Sequence, residues 1–441
     1  VKESYYNLCI PLFEEEKILM SNLYTTSMLT ISRPLYYDFE EVVIKNTFEL
    51  SDFSDTLFAN QLADGGFIIA DDYDEIMQLR VRNNIDRFNQ SYLRLTLLTT
   101  LDCNAQCFYC FESKTKQSMP KDVQEAIVAY IATLIPRKQG LHICWMGGEP
   151  LLEKDIIFNL SKTILAICEH LNKTYTATIV TNGILLTGDV AEKLAFYGVK
   201  EAQVTLDGPK RFHNNIRKTV TNIGTWDNII ENIKNASDFL TIIIRVNLTR
   251  ENLRHVDELL DEMVSEGIHT KKVYIYFAPV STCGEGCKNL ADSYSSNFIT
   301  NKEFGNMMIK LYEKLHNRGF KAGINSIRPN KCGAISLDSL TIEPSGTIQK
   351  CWSNIGFEHH GCGNIKQGYS LDPNTTKWLN WDVSNLSNNC IRCKILPVCM
   401  GNCPYVQMDS SQDDKCSPIK YCMEEYVKLI YLTINEQKSL Q

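Results

Sequence analysis

The chain has 441 residues, 44% of them hydrophobic, which suits two or three domains, each with a core. Its formal charge of −7 and a pI near 5.7 exclude a general nucleic-acid binder. No apolar run approaches the ~18–20 residues of a membrane span, so neither nucleic acid nor membrane is expected as a partner. Seventeen cysteines, an odd number, with no secretory signal at the start, fit metal ligation better than a disulfide framework. Eleven of the seventeen fall between Cys283 and Cys422, and residues 10–102 contain none. Exposed metal–thiolate groups are oxygen-sensitive, so a reducing cytoplasm, in an anaerobic bacterium, is the expected setting.

Residues 1–90 form the first expected unit. YYNLCIPL and KILMSNLYTTSMLTI predict a β-hairpin. YYDFEEVVI, SDTLFANQLADGGFII and DDYDEIMQLRVRN predict a helix, a helix with a short strand, and a helix. The run LADGGFIIAD from Leu62 resembles the wing of small winged-helix domains.

Residues 91–325 form the second unit. Strands are expected at 92–98, 141–146, 176–181, 201–206, 241–248 and 272–277, all short, apolar and β-branched. Helices alternate with them. In 252–266, Leu253, Val256, Leu259, Leu260, Met263 and Val264 make one stripe, and Gly267 is placed to cap it. Six βα units predict a parallel sheet with right-handed crossovers, too few to close an eight-stranded barrel. An α/β fold, a partial (β/α)6 TIM-like barrel open on one side, follows.

Chemistry in such folds sits after the carboxyl ends of the strands, and the unusual residues cluster there. The first strand leads into Cys103-Asn-Ala-Gln-Cys107-Phe-Tyr-Cys110, a C-x3-C-x2-C run. Its unequal gaps let three thiolates take three corners of an iron–sulfur cube, leaving one iron open. A zinc site or buried thiols are the alternatives, but zinc needs a fourth ligand and no His or Cys follows closely. The second strand leads into Gly147-Gly148-Glu149-Pro150, where two glycines allow a backbone to approach a ligand closely. Asn182 ends the third strand, Thr205 and Asp207 the fourth, and Arg245 and Asn247 lie on the fifth.

The cysteine run resembles the signature of the radical S-adenosylmethionine (SAM) superfamily. The resemblance implies a [4Fe–4S] cluster on Cys103, Cys107 and Cys110 that reductively splits SAM into methionine and a 5′-deoxyadenosyl radical. It also implies SAM contacts: Gly147, Gly148 and Glu149 at the ammonium group, Tyr109 near adenine, and Thr205 at the carboxylate, with Asn182 beside them. Asp207, His213 and Arg217 in DGPKRFHNNIR resemble a recurrent family segment, as loop anchors or catalytic groups. Relatives often carry an arginine near Trp226-Asp227-Asn228; this chain has none there, which makes Arg245 the candidate for the carboxylate clamp.

Residues 326–441 form the third unit. Cys332 is followed by thirteen residues, Gly346, four residues and Cys351; then come Cys390-x2-Cys393-x5-Cys399-x3-Cys403 and, opening a last amphipathic helix, Cys422. Zinc ribbons rarely combine these gaps. The pattern resembles the seven-cysteine SPASM extension of radical SAM enzymes that modify peptides. That implies two auxiliary [4Fe–4S] clusters, three in all. One would use Cys332, Cys351 and Cys403, with Cys362 the nearest fourth ligand and Cys283 or Cys287 as more distant options. The other would use Cys390, Cys393, Cys399 and Cys422, with Cys416 as a substitute for the last. His359 and His360 read as a solvated pair in a turn, with a metal role left open. Cys9, Cys144 and Cys168 read as buried thiols.

Together these features predict a radical SAM/SPASM maturase that forms a thioether or carbon–carbon crosslink in a ribosomally made precursor peptide. Winged-helix units in front of such enzymes grip a leader peptide as an added strand. The resemblance also implies a small electron donor such as flavodoxin or ferredoxin. The alternatives are an anaerobic sulfatase-maturing (formylglycine-generating) enzyme, in which a front domain is unusual, and a zinc-stabilised binding protein.

Overall fold

The computed structural model describes residues 1–13, 16–110, 112, 115–280, 285, 295–322, 326–369, 371–409 and 415–439. After β1 (Lys2–Glu3), strands β2 (Asn7–Leu12), β3 (Lys17–Asn22) and β4 (Met28–Ser32) form an antiparallel sheet, one strand more than the expected hairpin. Asn22 makes the extra reversal. Its Oδ1 accepts from the amides of Tyr24 (3.0 Å) and Thr25 (2.9 Å), which turns the chain back on itself. Helices Arg33–Val43, Thr56–Asp64 and Glu75–Phe88 follow, with Asp55 and Asp74 capping the last two. In the segment compared with a wing, β5 (Ile68–Ile69) pairs with β1 at the start of the chain.

The parallel α/β sheet expected from the alternation is present. Strands β6 (Tyr92–Leu98), β7 (Gly140–Met146), β8 (Thr174–Thr181), β9 (Val199–Thr205), β10 (Thr241–Leu248) and β11 (Val273–Pro279) lie side by side in chain order. Beyond β11 comes β12 (Lys321–Ala322); beyond β6 come β13 (Ser339–Ile342), parallel to it, and β14 (Ile348–Gln349). The two ends of this nine-stranded sheet do not pair, so the sheet stays open. The stripe expected over 252–266 is split into helices Arg250–Leu253 and Val256–Ser265, and Gly267 follows with φ +75°. Buried Asn252, at the break, is committed elsewhere: its amide donates to the carbonyls of Asp207 and Asn247, both at 2.8 Å.

Strand alternation gives the two faces opposite characters. Leu93, Leu95, Ile143, Ile179, Val204 and Ile244 point into the apolar layer under the helices. The intervening positions are polar and meet across the concave face. His142 Nδ1 lies 3.0 Å from Thr176 Oγ1, and Tyr276 donates to Gln203 Oε1 at 2.8 Å, spanning β10. A closed barrel packs its interior with branched apolar side chains; this open one presents a polar hollow.

The two ends of the chain share one core. Leu19, Leu23 and Leu79 pack in the same apolar cluster as Trp378, Trp381, Val427 and Ile430. Polar contacts reinforce the join: Arg80 pairs with Asp382 at 3.0 Å, and Arg87 donates to the carbonyl of Leu379 at 2.6 Å. Leu79→Ala should therefore cost about 2–5 kcal/mol, lowering the melting temperature and speeding hydrogen exchange in helix Met423–Ser439 as well as in Glu75–Phe88. Unchanged exchange in the C-terminal helix would show that the two segments are uncoupled.

Candidate active site

A cleft of about 310 Å³ opens at the carboxyl ends of the strands. Cys103, Cys107 and Cys110 line it, facing Gly147, Gly148, Asn182, Thr205 and Arg245. These residues, separate in sequence, are brought to one place. No His and no fourth Cys lines the cleft among the described residues. Glu112 is the carboxylate in the lining; three thiols fit a cluster with an open iron, whereas structural zinc sites are closed by a further Cys or His.

The cysteine loop has little regular structure of its own and is fastened from three sides. The first fastening is the glycine pair. The amide of Gly148 donates to Thr100 O at 3.1 Å and that of Glu149 to Asp102 O at 2.8 Å. A Cβ on Gly147 (φ +140°) would sit 2.2 Å from Thr100 O, and one on Gly148 2.3 Å from Asp102 O. The close approach expected of these glycines is therefore made to the backbone that precedes Cys103, although both also border the cleft.

The second fastening runs through Glu149. Its carboxylate is wholly buried behind the loop and accepts from Leu151 N (3.0 Å), Thr181 Oγ1 (2.8 Å) and Asn182 N (2.7 Å). Burial pushes its pKa up against those three bonds. Glu149 thus holds Asn182, whose amide donates to Asn104 Oδ1 at 2.7 Å, inside the cysteine run. Its side chain is absent from the cleft wall.

The third fastening is a buried ion pair. Arg217 Nε donates to Asp207 Oδ2 at 2.6 Å, and the Tyr109 hydroxyl donates to the same oxygen. Asn247 supplies its backbone (3.2 Å) and side-chain (3.1 Å) N–H groups to Asp207 Oδ1. His213 Nδ1 accepts from Asp207 N at 3.4 Å, so Nε2 carries the proton toward Thr225 Oγ1 at 2.9 Å, which in turn donates to Arg217 O. Asp207, His213 and Arg217 are thus placed as anchors of the loop. Arg245 differs. It donates to Asn247 Oδ1 at 2.7 Å and lies 3.4 Å from the Tyr276 hydroxyl, and no carboxylate pairs with it among the described residues.

Trp352 and Ser353, from the C-terminal third, also border the cleft. The indole N–H of Trp352 donates to Thr96 Oγ1 at 3.3 Å. The sequence pointed to Cys351 alone here. Gln203, two residues before Thr205 on the same face of β9, is a second lining residue that strand alternation could have found.

In the C-terminal third, Cys332, Cys351, Cys390, Cys393 and Cys399 pack against one apolar cluster. Cys403 caps helix Pro404–Met408. Cys422 directly precedes helix Met423–Ser439. It belongs to the apolar layer of the barrel, its sulfur faces the carbonyls of Pro418 and Ile419, and burial pushes its thiol up to about 12. Near Cys416, Lys420 Nζ donates to its sulfur at 3.3 Å and also feels Cys393, while the backbone of Ser417 faces the Cys399 sulfur. Cys362 is fully buried beside Thr375 and Tyr369. Cys283 and Cys287 lie outside the described residues.

Residues 97–263, from β6 to the helix before β11, match the model of the radical SAM superfamily. Over these residues the chain carries a radical SAM domain, and the protein is an enzyme. Radical SAM enzymes use a [4Fe–4S] cluster and SAM as cofactors. The chain is 24% identical over 380 residues to the radical SAM cyclopropyl synthase TigE of Paramaledivibacter caminithermalis, covering 78% of this chain and 75% of that protein. It is 22% identical over 323 residues to a serine-type anaerobic sulfatase-maturating enzyme of Klebsiella aerogenes, covering 68% and 77%. Its fold is similar to that of Streptococcus suis SuiB bound to the precursor peptide SuiA, with a TM-score of 0.52 at 16% identity, over 96% of this chain and 99% of that one. No helix among the described residues is long and apolar enough to cross a membrane.

Burial drives His213 from its ordinary 6.5 down to about 3, so the folded state keeps it neutral. A depressed pKa contributes stability that is complete above 6.5 and is lost as pH falls toward 3. The slope approaches about 1.4 kcal/mol per pH unit. His213→Gln should flatten the fall in melting temperature between pH 6.5 and 5. Equal slopes in variant and wild type would assign the titration to another group.

Proposed function

We propose that this radical SAM enzyme is a SPASM-type maturase that installs a thioether or carbon–carbon crosslink in a ribosomally synthesised precursor peptide. One observation carries the reading: three thiols, with no His or fourth Cys beside them among the described residues, share a cleft wall at the mouth of an open, polar hollow. When bound there, the cluster and SAM supply a 5′-deoxyadenosyl radical that takes hydrogen from an unactivated C–H bond. Cys103, Cys107 and Cys110 would hold the cluster. Gly147, Gly148, Tyr109, Asn182 and Thr205 would seat SAM, and Arg245, which no carboxylate pairs with among the described residues, would pair with the SAM carboxylate. Glu149 would act from behind, by orienting Asn182. Trp352 would cover the cleft and limit water.

The remaining cysteines would hold two auxiliary clusters. The first set is Cys332, Cys351 and Cys403, with Cys362 in a supporting position. In the second, Cys416 would replace Cys422 beside Cys390, Cys393 and Cys399, because it is Cys416 whose surroundings touch Cys393 and Cys399. Flavodoxin or ferredoxin would deliver the electron.

A leader peptide would bind the N-terminal unit. β4 is an edge strand with a free side, and helix Glu75–Phe88 exposes Met77, Val81 and Ile85 in one stripe. The similarity to SuiB, solved with its precursor peptide and spanning nearly the whole chain, supports this reading. The sulfatase-maturating relative favours a second reading on the same barrel, formylglycine formation. Removing the front unit's part in recognition would separate the two: Val81→Asp and Ile85→Asp should abolish crosslinking of a leader-bearing peptide and leave formylglycine formation untouched.

Anaerobic incubation with SAM and dithionite should yield methionine and 5′-deoxyadenosine. Changing Cys103, Cys107 or Cys110 to Ala should abolish both products, and product formation by those variants would falsify the assignment. Three four-iron clusters predict about twelve irons per chain. Cys416→Ala should lose about four of them, and Cys422→Ala none; the opposite pattern in an iron assay restores Cys422 as the ligand.

A further inference from the structure

Just before Cys362 in the chain, two adjacent imidazoles and a carboxylate converge. His359 and His360 lie in the short turn Glu358–His360. Glu285, in the sequence between β11 and helix Asn301–His316, meets both. Its Oε2 lies 2.9 Å from His359 Nε2 and 3.2 Å from His360 Nε2. The two rings stand 4.1 Å apart between centroids, tilted by 43°. All three donor atoms lie within 4.8 Å of one another.

These separations suit a shared cation. Bonds of ~2.0–2.1 Å in a tetrahedron put ligand atoms roughly 3.3 Å apart, close to the two distances found. The turn is held in place before any ion arrives. Asn374 Nδ2 donates to the carbonyls of His359 and Gly361, both at 2.9 Å, and His360 N donates to Phe357 O at 3.1 Å. Hydrogen bonds to Glu285 alone would require both rings to present N–H groups to one oxygen while stacked on each other. A cation among the three groups replaces that crowding with attraction. His359 is 61% exposed and Glu285 32%, so an ion has a path in.

We propose that Glu285, His359 and His360 form a mononuclear site for a divalent transition metal of the zinc class, separate from the iron–sulfur ligands. Two imidazoles and one carboxylate leave a fourth position open for water or a ligand atom from a bound molecule. The ion would also join Glu285 to the turn that leads into Cys362.

The test uses the full-length protein, purified without air and loaded with iron, then given one equivalent of Zn2+ and desalted. The expected result is one retained zinc per chain with the iron count unchanged. X-ray absorption at the zinc edge should show a nitrogen and oxygen shell near ~2.0–2.1 Å. E285Q, which leaves the turn untouched, and H359N/H360N should each lose the zinc and keep the iron. Zinc absent from the wild type, zinc retained by both variants, or a sulfur shell near ~2.3 Å would each overturn the proposal, the last by placing the ion among the cysteines.

Discussion

The active end of this molecule hangs on one buried charge pair. Asp207 is fully enclosed and Arg217 nearly so, and removing two charges from water costs several kcal/mol per ion unless their bonding capacity is filled. Here it is filled. Each Asp207 oxygen takes two donors, one oxygen from Arg217 and Tyr109 and the other from the backbone and side chain of Asn247. The donors come from the cysteine loop, from the segment after β9 and from β10. An apolar cluster could bury these elements, but it could not prescribe where Tyr109 sits to within a hydrogen bond. That placement matters because Tyr109 immediately precedes Cys110.

The same logic explains why two glycines stand after β7. A loop that must present three thiols cannot also spend its backbone on a helix or strand, so its amides and carbonyls have to be satisfied by neighbours. The Thr100 and Asp102 carbonyls find amides at Gly148 and Glu149, and the contact is close enough that a methyl group at either glycine would strike backbone oxygen. Glu149 continues the brace into β8 through Asn182. Strand ends β6 to β10 are thus linked by buried and half-buried side chains, and the cleft between them is preorganised.

The barrel strands were legible because buried parallel strands are short, β-branched runs broken by turn residues, a local signal. The meeting of Cys103, Cys107 and Cys110 on one cleft wall was legible because their spacing is written in the sequence. What lay hidden was every relation that depends on tertiary contact. β13 extending the sheet next to β6, and Trp352 reaching the cleft, join segments more than 240 residues apart. The surroundings of Cys422 were hidden too: opening an amphipathic helix places its thiol against the apolar layer that the helix covers. The third strand of the N-terminal sheet was missed because the side chain of Asn22, and no glycine or proline, makes the turn.

The shared core at the two chain ends has a mechanical consequence. Leu79 lies on the same helix whose outer stripe is exposed, and on its inner side it packs with Trp378 and Val427 of the cysteine-rich third. That third in turn lays β13 against β6 and places Trp352 over the cleft. A load applied to the front unit is therefore transmitted through packed side chains to a wall of the active cleft, with no flexible linker between. Packed cores shift as blocks, since small gaps forfeit much of their dispersion energy. A peptide held at the front unit would thus enter a cleft whose position relative to its anchor is set by the fold.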